Sequence, residues 1–565
     1  MLLALRRAVS FRSASLRATV AVWLAAAGGV PAAELPAEDA AKVDRLFARI
    51  DRDDTPGAVV AIARGGEPVF VRGYGMANLE HDVRLSADTR SETGSVAKQF
   101  TAAAVTLLAV RGRLSLDDRL KTFLPELPAC ADEVTLRQML THTSGLRDMH
   151  GLFDLLGRPT YASPHENTEL LEIMTRQREL NFPAGAEYAY SNTGYVLLTF
   201  VIERASGRPF AEFCRDEIFA PRGMIDTEWR TQFTKIIRGR ASAYSLERGG
   251  TFRTDLPYSN IHGSGGLVTT VGDLLRWNAS FDGATGEWAE VVRQMQEPGT
   301  LRDGTVIENG LGLRIGTYRG VPEISHSGAT AGYSTYLARF PSLGLSIAIL
   351  SNLAGIDAGA QTYRIIDAIG GPELAPVEKP PRILLPTAQL QAHAGLYRSP
   401  GHDMLAQVAV LGDRLLINGA EAVPTGPHSF VGTVLGTKYE FDLVRDGRPR
   451  RLTFTSNRIA RRYTVVPAAA PTAEKLADYA GDYRSPELGV TIPATVQGRA
   501  LALRIFPAPA QKAEPTFADG FWLGRAWHMT FTRGPDGKVD GLVATNALGR
   551  CRRVRFERLP AAAAR

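Results

Sequence analysis

The stretch "SETGSVAKQF", Ser91 to Phe100, sets a serine three residues before a lysine, where a polar turn gives way to an apolar helix. Val96, Phe100, Ala103, Ala104 and Leu107 follow at helical spacing and predict one buried face. Positions i and i+3 of a helix share a side, with Cβ atoms about 5–6 Å apart. Ser95 therefore has two readings. It caps the helix, as serines commonly do, or it is a nucleophile whose proton goes to Lys98. A serine hydroxyl needs a base before it attacks a carbonyl, and a lysine in a partly dry pocket near other cations can be neutral enough to serve. The chain has nine lysines, and only Lys98 has a serine three residues ahead of it.

Outward from this point the pattern is that of an α+β unit. "GAVVAIAR" and "PVFVRGYGMAN", between Pro56 and Asn78, read as strand, turn, strand. A mainly helical middle follows, including "TLRQMLTHTSGL" and "GYVLLTFVIERASG". Then come two strands, "STYLARF" and "LSIAILSN", joined by "PSLG", and a helix around "AQTYRIIDAIGG". Strands at both ends of a unit with helices between them predict one antiparallel sheet made from distant segments and covered by helices. The proline-rich "GPELAPVEKPPRILLPT" reads as a linker. Beyond it "LQAHAGLYRSP" from Leu390 and "LADYAGDYRSP" from Leu476 share seven of eleven positions. This repeat predicts two tandem antiparallel β-barrels, with one large sandwich as the alternative. The expected division is 1–33 leader, 34–378 catalytic unit, 385–467 first barrel and 473–560 second barrel.

The 565 residues carry 65 basic and 59 acidic side chains, a net charge of +6. The densest basic run, "RCRRVRFER" near the end, reads as solvated surface, and no nucleic-acid partner is expected. Arg6, Arg7, Arg12 and Arg17 precede "ATVAVWLAAAGGV" and the small residues of "VPAAE". This is the pattern of a secretory signal cleaved near Ala32 or Ala33 and predicts a periplasmic or secreted protein. Its apolar run falls short of the roughly 20 residues that span a bilayer. The three cysteines, Cys130, Cys214 and Cys551, have no metal-type spacing and allow at most one bridge. No cofactor is expected, and a homodimer is compatible with the sequence.

Two further segments carry chemistry. In "FPAGAEYAYSNTGYVLL" Tyr190 and Asn192 lie on a turn before an apolar helix. A phenol near an ammonium can relay protons, and Asn192 both donates and accepts, which suits a substrate amide. "PYSNIHGSGG" repeats the triplet at Tyr258–Asn260, but no long apolar helix follows it. In "ISHSGATAGYSTYLARF" His326 sits beside Ser327 and Gly328 in a β segment. Gly328 allows close backbone approach, and the Ala329 N–H can complete an oxyanion hole with that of Ser95. A second His-x-Gly, His393 to Gly395, lies inside the repeat and reads as barrel structure.

The order SxxK, YxN, HxG resembles the serine penicillin-recognising superfamily of class C β-lactamases, D,D-peptidases, esterases and D-aminopeptidases. "LRQMLTHTSGL" and "GSGGLVTTVGDLLRW" add to the likeness, which covers about Val43 to Gly371. The resemblance implies that Ser95 forms an acyl-enzyme, that Lys98 and Tyr190 share the proton work, and that Asn192 holds the substrate amide. His326 stands where β-lactamases and D,D-peptidases usually carry lysine. A neutral histidine anchors a carboxylate less well, so a carboxylate beside the scissile bond is a weaker expectation. Two barrels after the hydrolase unit resemble the D-aminopeptidases, in which a loop of the last barrel offers an acid to the substrate's amine. Asp519 in "TFADGFW" is the candidate, although an aspartate before glycine also suits a plain turn. The implied function is a D-stereospecific aminopeptidase, and the implied partner is a small-molecule or short-peptide substrate. A carboxylesterase, a weak β-lactamase or a non-turnover penicillin-binding sensor are the alternatives.

Overall fold

A computed structural model describes residues 34–376, 383–399, 401, 403–432, 437–443, 449–456, 458–469 and 471–560. The signal-like leader and residues 377–382 of the linker lie outside the described residues.

The expected sheet is present, and both ends of the first unit build it. Strands β1 (Ala58–Arg64) and β2 (Glu67–Tyr74) come from the start. Strands β3 (Arg314–Tyr318), β4 (Val321–Thr330), β5 (Tyr333–Phe340) and β6 (Leu345–Ser351) come from the end. The order is β3-β4-β5-β6-β1-β2, with every neighbour antiparallel. β5 and β6 are the two strands expected from the sequence, and His326 lies in a strand as expected; the hairpin β3–β4 completes that edge. β1 is apolar on both sides because both sides are covered. Val59, Ala61 and Ala63 join the core under the helices, while Ala58, Val60 and Ile62 join a second core. Helices α1 (Ala37–Phe47) and α6 (Ala358–Ile369) close that second face through Val43, Phe47, Ile365 and Ile366.

The first face carries the helical middle. At its centre is α2 (Lys98–Val110), whose side chains from Lys98 to Leu108 are all buried. It packs between α3 (Asn192–Ser206) and α5 (Gly286–Met295), while α4 (Val271–Ala279) lies on the sheet. The stripe foreseen around Phe100 is thus part of a helix buried almost all round, as expected for a core helix.

The repeat is two closed eight-stranded barrels, with strands from Gly395 to Val466 and from Gly481 to Arg558. The repeated tyrosines play one part in both. Tyr397 donates to the His393 carbonyl and Tyr483 to the Tyr479 carbonyl, each at 2.8 Å. His393 is therefore barrel structure. The first barrel has its own apolar core, whereas the core of the second is continuous with that of the catalytic unit. At the second junction Cys551 packs so tightly on Gly151 that a Cβ there would lie 2.5 Å from the Cys551 Cβ. Among the described residues no helix is long and apolar enough to cross a membrane.

Candidate active site

Ser95 lies in a tight helical turn (Gly94–Ala97) that leads directly into α2, so its side chain stands at the head of a buried helix. β4 presses on this turn. A Cβ on Gly328 would lie 1.9 Å from the Thr93 carbonyl oxygen and 3.0 Å from the Ser95 nitrogen. Gly94 adopts φ +50°, and a Cβ there would come 2.5 Å from the Ala329 nitrogen. Glycine at both points is what lets strand and nucleophile turn meet. β3 pairs only with Val321–Ser325, so the same edge of β4 is free of β3 from His326 to Thr330.

Lys98 is buried, with its Nζ 3.0 Å from Ser95 Oγ, 2.8 Å from Asn192 Oδ1 and 2.7 Å from the Ser264 carbonyl oxygen. The orientation of Asn192 is settled by Asp148, whose carboxylate accepts from the Asn192 backbone N–H at 2.6 Å and from Nδ2 at 3.0 Å. Because a carboxylate only accepts, Nδ2 must face Asp148 and Oδ1 must face Lys98. A neutral amine has two N–H groups, which match the two obligate acceptors, Asn192 Oδ1 and the Ser264 carbonyl. Its lone pair is then left for the Ser95 hydroxyl. Burial lowers Lys98 to about 7; the Asp148 carboxylate opposes this and the Arg550 guanidinium adds to it.

Tyr190 is also buried, and burial raises its phenol well above the usual range, against a smaller opposing effect of the Ser95 hydroxyl. Its hydroxyl forms no hydrogen bond of ordinary geometry among the described residues, although Ser95 is near enough to act on it. Lys98 Nζ lies 5.0 Å and Arg550 Cζ 4.9 Å from its ring centroid. The His142 ring lies 4.2 Å away and the His326 ring 6.3 Å away. His326 donates from Nδ1 to the Ser327 carbonyl at 2.6 Å, and burial lowers it to about 4. The ring is neutral at ordinary pH, with Nε2 left as an acceptor.

Ser95, Lys98, Tyr190, Asn192, His326, Gly328 and Ala329 thus converge, but Asp519 does not join them. Its carboxylate is held by Arg533 at 2.7 Å and Tyr479 at 2.9 Å, on the wall of a separate cavity in the second barrel. It has φ +64° in the turn before Gly520, the plainer of its two readings. Another loop of that barrel, between strands Val539–Asn546 and Val554–Arg558, reaches the site instead. It brings Arg550, so the run read as solvated surface is largely structural and site-forming; Arg552 within it is buried. Asp148, His142 and the Ser264 carbonyl join the site without a signal of their own in the sequence, although the last two lie in the stretches "TLRQMLTHTSGL" and "GSGGLVTTVGDLLRW". The decoy Tyr258–Asn260 is a turn in which Asn260 accepts from the Phe233 N–H.

Fold and site together define a class in which a lysine-assisted serine acts at the edge of an antiparallel sheet. Residues 43–369 match the family model described as Beta-lactamase, and the chain belongs to that family. A D-aminopeptidase of Brucella anthropi is 30% identical over 284 residues, covering 49% of this chain and 52%, about half, of that protein. A D-aminopeptidase of Cereibacter sphaeroides is 26% identical over 436 residues, 77% of this chain and 80% of that protein. In fold, the octameric penicillin-binding protein homologue from Pyrococcus abyssi superposes with a TM-score of 0.55 at 22% identity, over 75% of this chain and all of that one.

Proposed function

We propose that the protein is an acyl-serine hydrolase that releases N-terminal D-residues, such as D-Ala, from short peptides or amides. The observation that carries the chemistry is the set of three contacts at Lys98 Nζ: two acceptors consume its N–H groups and the third atom is Ser95 Oγ. In this reading neutral Lys98 takes the hydroxyl proton as Ser95 adds to the carbonyl carbon. The Ser95 and Ala329 N–H groups receive the oxyanion. Tyr190, kept protonated by burial, hands its proton to the leaving amine and is recharged from the Lys98 ammonium. Water then repeats the sequence on the acyl-enzyme. Neutral His326 is itself a weak anchor for a carboxylate, so the ring at that point does not make an anion beside the scissile bond obligatory. The names of the two relatives support the D-aminopeptidase choice. The leader-like N-terminus supports export, which N-terminal sequencing of the mature protein checks.

The test is a panel of D-Ala-p-nitroanilide, its L-isomer, a p-nitrophenyl ester and nitrocefin. The D-anilide is expected to be cleaved with the highest kcat/KM of the two anilides and ahead of nitrocefin. Equal rates on the D- and L-anilides, or turnover of the ester alone, overturn the substrate assignment.

A further inference from the structure

Ser95 stands between two cavities of different character. One, of about 320 Å³, has Met149, Tyr161, Pro257 and Ile261 on its walls beside the Glu92–Arg230 ion pair. The other, of about 650 Å³, has Tyr190, His326 and Arg550, and neither Tyr190 nor His326 borders the first. On the proposed mechanism the leaving group must sit where Tyr190 can protonate it, which is the second cavity. The acyl side chain then occupies the first.

Arg550 is a half-buried cation on the leaving-group side, and no hydrogen bond or ion pair engages its guanidinium among the described residues. The other charges on that wall are committed. Arg314 is paired with Glu323 at 3.0 Å and Glu308 at 3.4 Å, and Asp357 caps α6 by accepting from the Ala360 N–H at 2.9 Å. The Arg550 backbone is fixed: its carbonyl accepts from the Asp148 N–H at 2.9 Å and from Asn181 Nδ2 at 2.8 Å, and its N–H donates to Asn546 Oδ1 at 2.8 Å. A cation held in place over an aromatic face, partly withdrawn from water and unpaired, is a prepared seat for a carboxylate, which a guanidinium binds with two parallel hydrogen bonds.

We propose that Arg550, supplied by the second barrel, binds a free carboxylate on the leaving group, so that the preferred substrates are short peptides with a free C-terminus rather than their amides. This rests on the acyl-serine reading above and names the substrate class within it. It also reverses the expectation that the last barrel presents an acid to an amine.

The test measures binding to the full-length Ser95→Ala protein by calorimetry, with D-Phe-Gly and D-Phe-Gly-amide as ligands. The acid is expected to bind roughly 10- to 100-fold more tightly than the amide, the range of a charge-assisted contact. In Ser95→Ala/Arg550→Gln the acid-to-amide ratio should fall to near one. Ser95→Ala/Arg550→Lys should keep part of it, which guards against a mere folding defect. Equal affinity for acid and amide, no binding of either at millimolar concentration, or a ratio untouched by Arg550→Gln overturns the proposal. Failure here with D-selective turnover in the substrate panel leaves the aminopeptidase reading standing. Loss of D-selectivity with the acid preference intact removes that reading alone.

Discussion

Replacing Lys98 by methionine is expected to lower kcat/KM by roughly 100- to 10,000-fold, the span of a lost general base. The pH dependence gives the sign. Burial places the native Lys98 at about 7 and the neutral amine is the active form. The native rate should rise tenfold per unit below about 7 and level off above it. His326, near 4, adds no limb in that window, and Tyr190, pushed upward, stays protonated through it. The Lys98→Met protein should lose the limb near 7 altogether. If it keeps that limb, another group is the base. The substitution also strands Asn192 Oδ1 and the Ser264 carbonyl, each costing about 1–3 kcal/mol as a buried acceptor without a donor. Stability therefore falls as well, and the pH profile is the discriminating readout.

The second large effect is expected at the junction with the last barrel. Arg147 and Glu487 form an ion pair in which each side chain is only 1% exposed. Arg147 also donates to Gln177 Oε1 at 3.0 Å and to the carbonyls of Arg552 at 3.0 Å and Arg553 at 3.2 Å. Arg147→Met leaves a buried carboxylate with no cation, which costs about 3–5 kcal/mol. That is a large share of a typical stability of about 5–15 kcal/mol. Thermal unfolding should show the catalytic unit and second barrel melting together at a lower temperature, because they share one core. The first barrel, with a separate core, should be less affected. Pairing Arg147→Met with Glu487→Leu should recover much of the loss, since two apolar groups leave no charge stranded. No loss in Arg147→Met would mean that the second barrel is held by other contacts. Asp148, which orients Asn192, is the next residue along, so activity should fall with docking.

The sheet, the nucleophile helix and the two barrels were legible because each has a local signature: alternation in the strands, spacing around Phe100, repetition at Leu390 and Leu476. Ser95, Lys98, Tyr190, Asn192 and His326 were legible as residue types in order. Asp148 was not, because what matters is its bond to a backbone 44 residues away. Arg550 was hidden for a similar reason: arginines usually lie in water, and only docking of the second barrel turns this one onto Tyr190. Asp519 misled because an acid in a loop carries no sign of the Arg533 that will neutralise it across a hairpin.

The central claim is that Ser95 becomes acylated with Lys98 as its base. Mixing the protein with a slowly released β-lactam or a fluorophosphonate, followed by intact mass and peptide mapping, tests it most directly. One adduct on the peptide carrying Ser95, absent in Ser95→Ala and formed far more slowly in Lys98→Met, is the predicted result. An adduct on another residue, or equal labelling of Ser95→Ala, would contradict the account.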